Sequence, residues 1–180
     1  MQYVVIFLSS MFMCSTVFSM SVSTVSLGRL SEAINARMLL MQSVAAYKAA
    51  HHLAVEDLDR EQIVLDAAEE VADGEGLAAG TSRALMCSLM NAGKAVQYRY
   101  LADWLATPDF SPSPESLAGV RAQISQLDLE ILRAVSQRLM VGSFSPQDVQ
   151  LVMSQLTAPN LSDMDKRNIV TALYLVRTHV

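Results

Sequence analysis

The stretch Leu30-Ser-Glu-Ala-Ile34-Asn-Ala-Arg37-Met-Leu-Leu-Met41-Gln-Ser-Val44-Ala-Ala-Tyr-Lys48 decides how this chain folds. Leu30, Ile34, Arg37, Met41, Val44 and Lys48 recur at intervals of three and four, the period of an amphipathic helix turned toward a core. Two of these positions are cationic. An unpaired charge on a core face is costly, so Arg37 and Lys48 must meet a partner or a bound anion. They are eleven residues apart, which is close to three turns and puts them on one face, roughly 16 Å apart along the axis. Their long side chains could close on a small anion, or reach the rim of a bundle, or pair with acids on a neighbouring helix.

Outward from that helix, alternating apolar and polar residues are nearly absent, and glycine and proline gather at a few breaks. The pattern predicts an all-α fold, a six-helix bundle-like single domain with long first, third and fourth helices. Helices are expected over about 26–52, 56–72, 81–105 and 115–140, with Thr81 or Ser82 capping the third. Two shorter ones open at Ser145-Pro146 and Ser162-Asp163, where a capping hydroxyl precedes a first-turn proline or acid. Pro108, Pro112 and Pro114, set among serines, forbid helix over 108–114. This linker separates the helices of 22–107 from those of 115–180, which contribute Arg121.

The chain has 180 residues, 52% of them hydrophobic, enough to bury one full core. Its net charge is −5 and its only lysines are Lys48, Lys94 and Lys166, so the basic patch that nucleic acid requires is missing. No charged side chain occurs before Arg29, and Val4 to Phe18 is an apolar run of secretory length. Residues 1–21 therefore read as a signal peptide with its cut between 19 and 23. Ser9, Ser10, Ser15, Thr16 and Ser19 interrupt the run, which argues against a membrane-spanning helix of about 20 apolar residues. A periplasmic or secreted protein, with no stable membrane insertion after cleavage, is the expectation. Cys14 falls in the leader and leaves Cys87 alone beside Leu85, Met86 and Leu89, where it reads as a buried, inert thiol.

Other polar residues stand at telling places. Asp57, Arg60 and Glu61 share a face near a helix start, which taken alone is most often a solvated ion-pair network. The stripe Met86, Met90, Gly93, Gln97, Tyr100, Trp104 puts an amide in the core, where it must find hydrogen-bond partners. Gly93 costs a helix about 1 kcal/mol relative to alanine, which points to close approach of a backbone or ligand, although a plain packing contact explains it equally well. Arg121 sits against the apolar face of Leu117, Ile124, Leu127, Ile131 and Leu132, an ordinary place for an edge arginine. His51-His52 is no metal pair, because adjacent helical positions diverge. Neither a nucleophile elbow nor a phosphate-cradling glycine loop is present.

Through Ile34-Asn-Ala-Arg37, Val44-Ala-Ala-Tyr-Lys48, Val55-Glu-Asp57-Leu-Asp-Arg60-Glu61 and Asn91-Ala-Gly-Lys-Ala-Val-Gln97-Tyr-Arg-Tyr100 with Trp104, the chain resembles the all-helical chorismate mutases of the exported, periplasmic subclass. Gln137-Arg-Leu-Met-Val-Gly142 and Ala158-Pro-Asn-Leu161 are similar to its enterobacterial members. The resemblance implies a metal-free, cofactor-free isomerase, an intramolecular transferase that turns chorismate into prephenate. It assigns Arg37 and Arg121 to the two carboxylates of chorismate, Lys48 to a carboxylate and the ether oxygen, and Gln97 to that same oxygen. Glu61 would accept from the ring hydroxyl, Arg60 would support the carboxylate end, and Asp57 would orient these groups and offer its backbone carbonyl. Lys48, Gln97 and Glu61 are thus the expected catalytic set. Where several relatives carry a hydroxyl residue this chain has Gly93, and where some carry glutamate it has Gln97. The resemblance further implies a homodimer with a complete site in each protomer. The alternative is a secreted helical binding protein that keeps the scaffold without catalysis.

Overall fold

The computed structural model describes residues 14–107 and 116–179, with side chains of the first helix from residue 24 onward. Among the described residues the chain forms six helices: α1 (Cys14–Ala50), α2 (Leu58–Gly74), α3 (Ala79–Ala106), α4 (Leu117–Leu139), α5 (Pro146–Gln155) and α6 (Asp163–Leu175). The only β pairing among them is a single bridge between Leu77 and Thr178. No helix of the described residues is long and apolar enough to cross a membrane. The 108–114 linker and most of the 1–21 leader lie outside the described residues.

The boundaries differ from expectation where no breaker or no cap enforces them. α1 is already helical at Cys14, the first described residue, so helix extends through residues ahead of the expected start near 26, a stretch in which nothing between Cys14 and Leu27 is glycine or proline; the expected cut at 19–23 falls inside this helix. It ends at Ala50 by a reversal in which Leu53 N–H bonds the Lys48 carbonyl (2.8 Å) and His52 N–H that of Ala49 (3.2 Å). His52 accordingly takes a left-handed φ of 52°. Neither Thr81 nor Ser82 caps α3, which starts two residues before Thr81, after Ala78. Both hydroxyls turn back onto the Ala78 carbonyl (2.9 and 3.3 Å), and the chain is pinned there by Ala78 N–H donating to the Arg177 carbonyl (2.9 Å).

The starts of α5 and α6 match the sequence reading. Ser145 and Ser162 each form a reciprocal capping box, with Asp148 and Asp165 as the returning acids. Those acids also receive arginines: Arg138 reaches Asp148, and Arg99 of α3 reaches Asp165 (2.6 Å) and the Asn160 carbonyl (2.7 Å). α6 is thereby tied to α3. Asn35 of α1 accepts from Thr157 N–H (2.9 Å) and Ala158 N–H (3.1 Å) and donates to the Gln155 carbonyl (2.7 Å), which fixes the end of α5. Cys87 is half-buried against the core rather than fully enclosed.

α1 is the central element and packs chiefly against α4 and α3. Leu30, Ile34 and Met38 of α1 and Ile131 and Val135 of α4 are wholly buried. Within this apolar seam Arg37 Nε donates to Asp128 Oδ1 at 2.7 Å, with side chains only 4% and 9% exposed. Removing one member of such a pair strands the other charge without solvent. Asp128→Ala should therefore lower the unfolding free energy by about 3–5 kcal/mol in urea titrations; a change below about 1 kcal/mol would show that Arg37 finds water or another partner.

Candidate functional site

Four helices turn side chains toward one cavity of about 110 Å³. α1 supplies Arg37, Met41, Val44 and Lys48, and α2 supplies Arg60 and Glu61 behind Asp57. α3 supplies Met90, Lys94 and Gln97, and α4 supplies Arg121 and Ile124. Every site residue expected from the sequence, namely Arg37, Lys48, Asp57, Arg60, Glu61, Gln97 and Arg121, lines this one space. The wall holds five cations, Arg37, Lys48, Arg60, Lys94 and Arg121, against two acids, Asp57 and Glu61, in a chain whose net charge is −5. A small anion is the complementary guest.

Arg37 is 3% exposed. Besides its bond to Asp128, Nη1 donates to the Leu89 carbonyl at 3.2 Å. Two of the alternatives open at the sequence level therefore hold together: Arg37 pairs with an acid on a neighbouring helix and still borders the cavity. Gly93 explains the room it has. A Cβ there would lie 2.9 Å from Met41 Sδ and 3.4 Å from Arg37 Nη1, and the first of these is closer than packed carbon tolerates.

Lys48 is 6% exposed and its Nζ donates to the Val55 carbonyl at 2.6 Å, so the bend after α1 holds the ammonium in place. Burial pushes its pKa below the ordinary lysine value of 10.5, Arg121 adds to that fall, and Asp57 and Glu61 oppose it. Asp57 has two roles before any guest arrives. One carboxylate oxygen accepts from Arg60 N–H (3.2 Å) as the N-cap of α2, and the other accepts from Arg121 Nη2 (3.0 Å). Its backbone carbonyl, the acceptor expected to face a ligand, already takes the Glu61 N–H at 2.8 Å as the first bond of the helix. The Arg60 guanidinium lines the cavity with no ion pair of its own among the described residues.

Gln97 is 5% exposed. Its Nε2 faces the Gly93 carbonyl (3.3 Å) and Met41 Sδ (3.6 Å), while the buried Oε1 has no partner. A buried polar atom left without a partner is costly, and here it belongs to a wall of the cavity. Rotation about the terminal torsion would exchange the two ends of the amide, so the group can present N–H to a guest.

Two residues that bear on the site, Lys94 in its wall and Asp128 behind Arg37, were missed in the sequence; the helix faces they occupy were readable, though not the partners they meet. Lys94 lies three residues before Gln97 on α3, hence on nearly the same face, and its Nζ meets Glu61 Oε2 at 2.8 Å. Asp128 follows Arg121 by seven residues, about two turns, on the same face of α4. Of the larger hollows elsewhere, the one between α1 and α4 balances Arg29 and Arg133 with Glu32 and Glu130, and the one bounded by Pro146, Val149 and Tyr174 is lined by no ionised group.

The family model for chorismate mutase type II matches residues 28–98, from α1 to α3, and so takes in all the site residues named in the sequence except Arg121. A protein of Enterobacter agglomerans described as a monofunctional chorismate mutase is 52% identical over 172 residues, 96% of this chain and 95% of its own. A secreted chorismate mutase of Yersinia pestis is 39% identical over 121 residues, 67% of this chain and 65% of its own. A crystal structure of the secreted Yersinia pestis chorismate mutase superposes with a TM-score of 0.77 at 33% identity, covering 84% of this chain and 99% of that one. With the fold, the cavity and these relatives in agreement, the chain belongs to the chorismate mutase type II family and has chorismate mutase activity.

Proposed function

We propose that chorismate binds in the cavity between α1, α2, α3 and α4, folded into its compact chair-like conformer. Arg37 and Arg121 take its two carboxylates, with Arg60 supporting the carboxylate end. Arg121 brings the nitrogens not held by Asp57. Lys48 and Gln97 donate to the ether oxygen, Glu61 accepts from the ring hydroxyl, and Asp57 keeps Arg121 and the start of α2 in register. The observation that carries this reading is the convergence of cations from separate helices on one small space, beside an amide with an unpartnered end.

The reaction breaks the ether C–O bond and forms a C–C bond within one molecule, so no proton, electron or group is exchanged with the protein. Two things remain for the side chains to do. They restrict a flexible substrate to the reactive conformer, which removes the entropic part of the barrier. They also stabilise negative charge growing on the ether oxygen, and a buried ammonium does so strongly because few waters screen it. Lys48 is held by the Val55 carbonyl, so its direction is set before substrate arrives.

We further propose that residues 1–21 are a cleaved leader, that the mature chain works in the periplasm or outside the cell, and that it forms a homodimer with a whole site in each protomer. The uncharged first 28 residues and the secreted Yersinia pestis relative support export. The gathering of all seven expected site residues of one chain around a single cavity supports a whole site in each protomer. Mass spectrometry of exported protein would give the cut, and light scattering the assembly; a full-length mass or a monomer at micromolar concentration would contradict these two points.

Lys48→Ala should lower turnover by about two orders of magnitude or more, since one such donor supplies about 3 kcal/mol or more, while circular dichroism stays that of the wild type. Near-normal turnover would refute its role. Because the Gln97 amide donates without titrating, turnover should hold level from about pH 5 to 8; a steep acid-only profile would contradict that assignment. On the alkaline side activity should fall below the ordinary lysine range, as Lys48 loses its proton early. The same group acts oppositely on stability. Its lowered pKa means the folded state releases the proton first, so its contribution to stability rises with pH between the folded and unfolded values. Rate and urea titrations across that window should therefore move in opposite directions.

A further inference from the structure

We infer that Lys94 is a positioning residue for Glu61, and that through this carboxylate it sets how tightly the site holds the ring hydroxyl of its substrate. The inference rests on the proposed role of Glu61 as acceptor of that hydroxyl.

Glu61 is an acid in a cage of cations. Lys48, Arg60 and Arg121 line the same cavity, and the charge of Glu61 already reaches Lys48. Left to itself, a flexible glutamate would fold onto one of these groups and neutralise a charge that the substrate needs. Its own helix gives it little restraint: Oε1 receives only a long 3.4 Å bond from Asp57 N–H. Lys94 supplies what is missing. Its Nζ lies 2.8 Å from Oε2, across from α3 to α2, with both side chains 22% exposed. That pair is desolvated enough to hold a geometry, unlike an ion pair in open solvent.

One turn further along α3, Tyr98 Oη donates to Glu56 Oε2 at 2.6 Å. Lys94 and Tyr98 thus hold the two ends of segment 56–61 against α3. This segment directly follows Val55, whose carbonyl fixes Lys48. The two bridges keep the acid and the ammonium in separate places within one small cavity.

The ring hydroxyl takes no part in bond making, so an interaction with it is the same in ground and transition states. Loss of such uniform binding raises KM and leaves kcat little changed. Steady-state kinetics of chorismate loss should be measured for the wild type, Lys94→Ala, Lys94→Gln, Lys94→Arg, Glu61→Ala and the double variant Lys94→Ala with Glu61→Ala. Both neutral Lys94 variants should raise KM by about tenfold with kcat within about twofold, and Lys94→Arg should recover most of the loss. In the Glu61→Ala background, removing Lys94 should cost nothing further, because the two residues act as one unit. Wild-type kinetics in the neutral variants, a fall in kcat at constant KM, or additive losses in the double variant would overturn the inference. Wild-type kinetics in Glu61→Ala would instead overturn the proposed role of Glu61 itself.

Discussion

A guanidinium and a carboxylate, both nearly sealed from solvent, meet at 2.7 Å in the seam between α1 and α4. Arg37 and Asp128 make the site and the fold one problem. Each alone would be a charge stranded among Ile34, Met38, Ile131 and Val135. Together they satisfy one another, and the Leu89 carbonyl of α3 takes a further N–H. The guanidinium is thereby held by three helices before any ligand approaches. Such a pair contributes little net stability over a well-packed apolar substitute. Its value to this chain is geometric, because it keeps a cation at the wall of the cavity in a fixed orientation.

The same principle of partial satisfaction runs through the rest of the wall. Lys48 is held by Val55, Arg121 by Asp57, and Glu61 by Lys94, each with a bond that fixes direction and capacity left over for a guest. Two acids temper five cations. The wall thus keeps the excess of positive charge that a dicarboxylate requires without leaving every cation to repel its neighbours. Only Gln97 ends with a buried atom unpaired. Preorganised donors of this kind need no rearrangement when charge develops on a substrate, which is the main lever available for a reaction with no nucleophile and no proton transfer.

Much of this was legible in the sequence because it rests on helical periodicity. The stripe from Leu30 to Lys48 is buried along its whole length, and the capping hydroxyls of Ser145 and Ser162 begin α5 and α6 where local chemistry placed them. What escaped has physical causes. The start of α3 is set by the C-terminal segment at Arg177, a contact almost a hundred residues away that no local signal reports. Lys94 and Asp128 were passed over because a lone charge on a helix is usually solvated. Only the fold shows that their partners, Glu61 and Arg37, sit opposite them.

The geometry proposed for the site is tested most directly by a crystal structure of the protein with a bicyclic ether dicarboxylate that mimics the chair-like transition state. The predicted result places its ether oxygen within hydrogen-bond distance of Lys48 Nζ and the Gln97 amide, with one carboxylate on Arg37 and the other on Arg121. A ligand bound outside the cavity between α1, α2, α3 and α4, or one whose ether oxygen faces solvent, would contradict it.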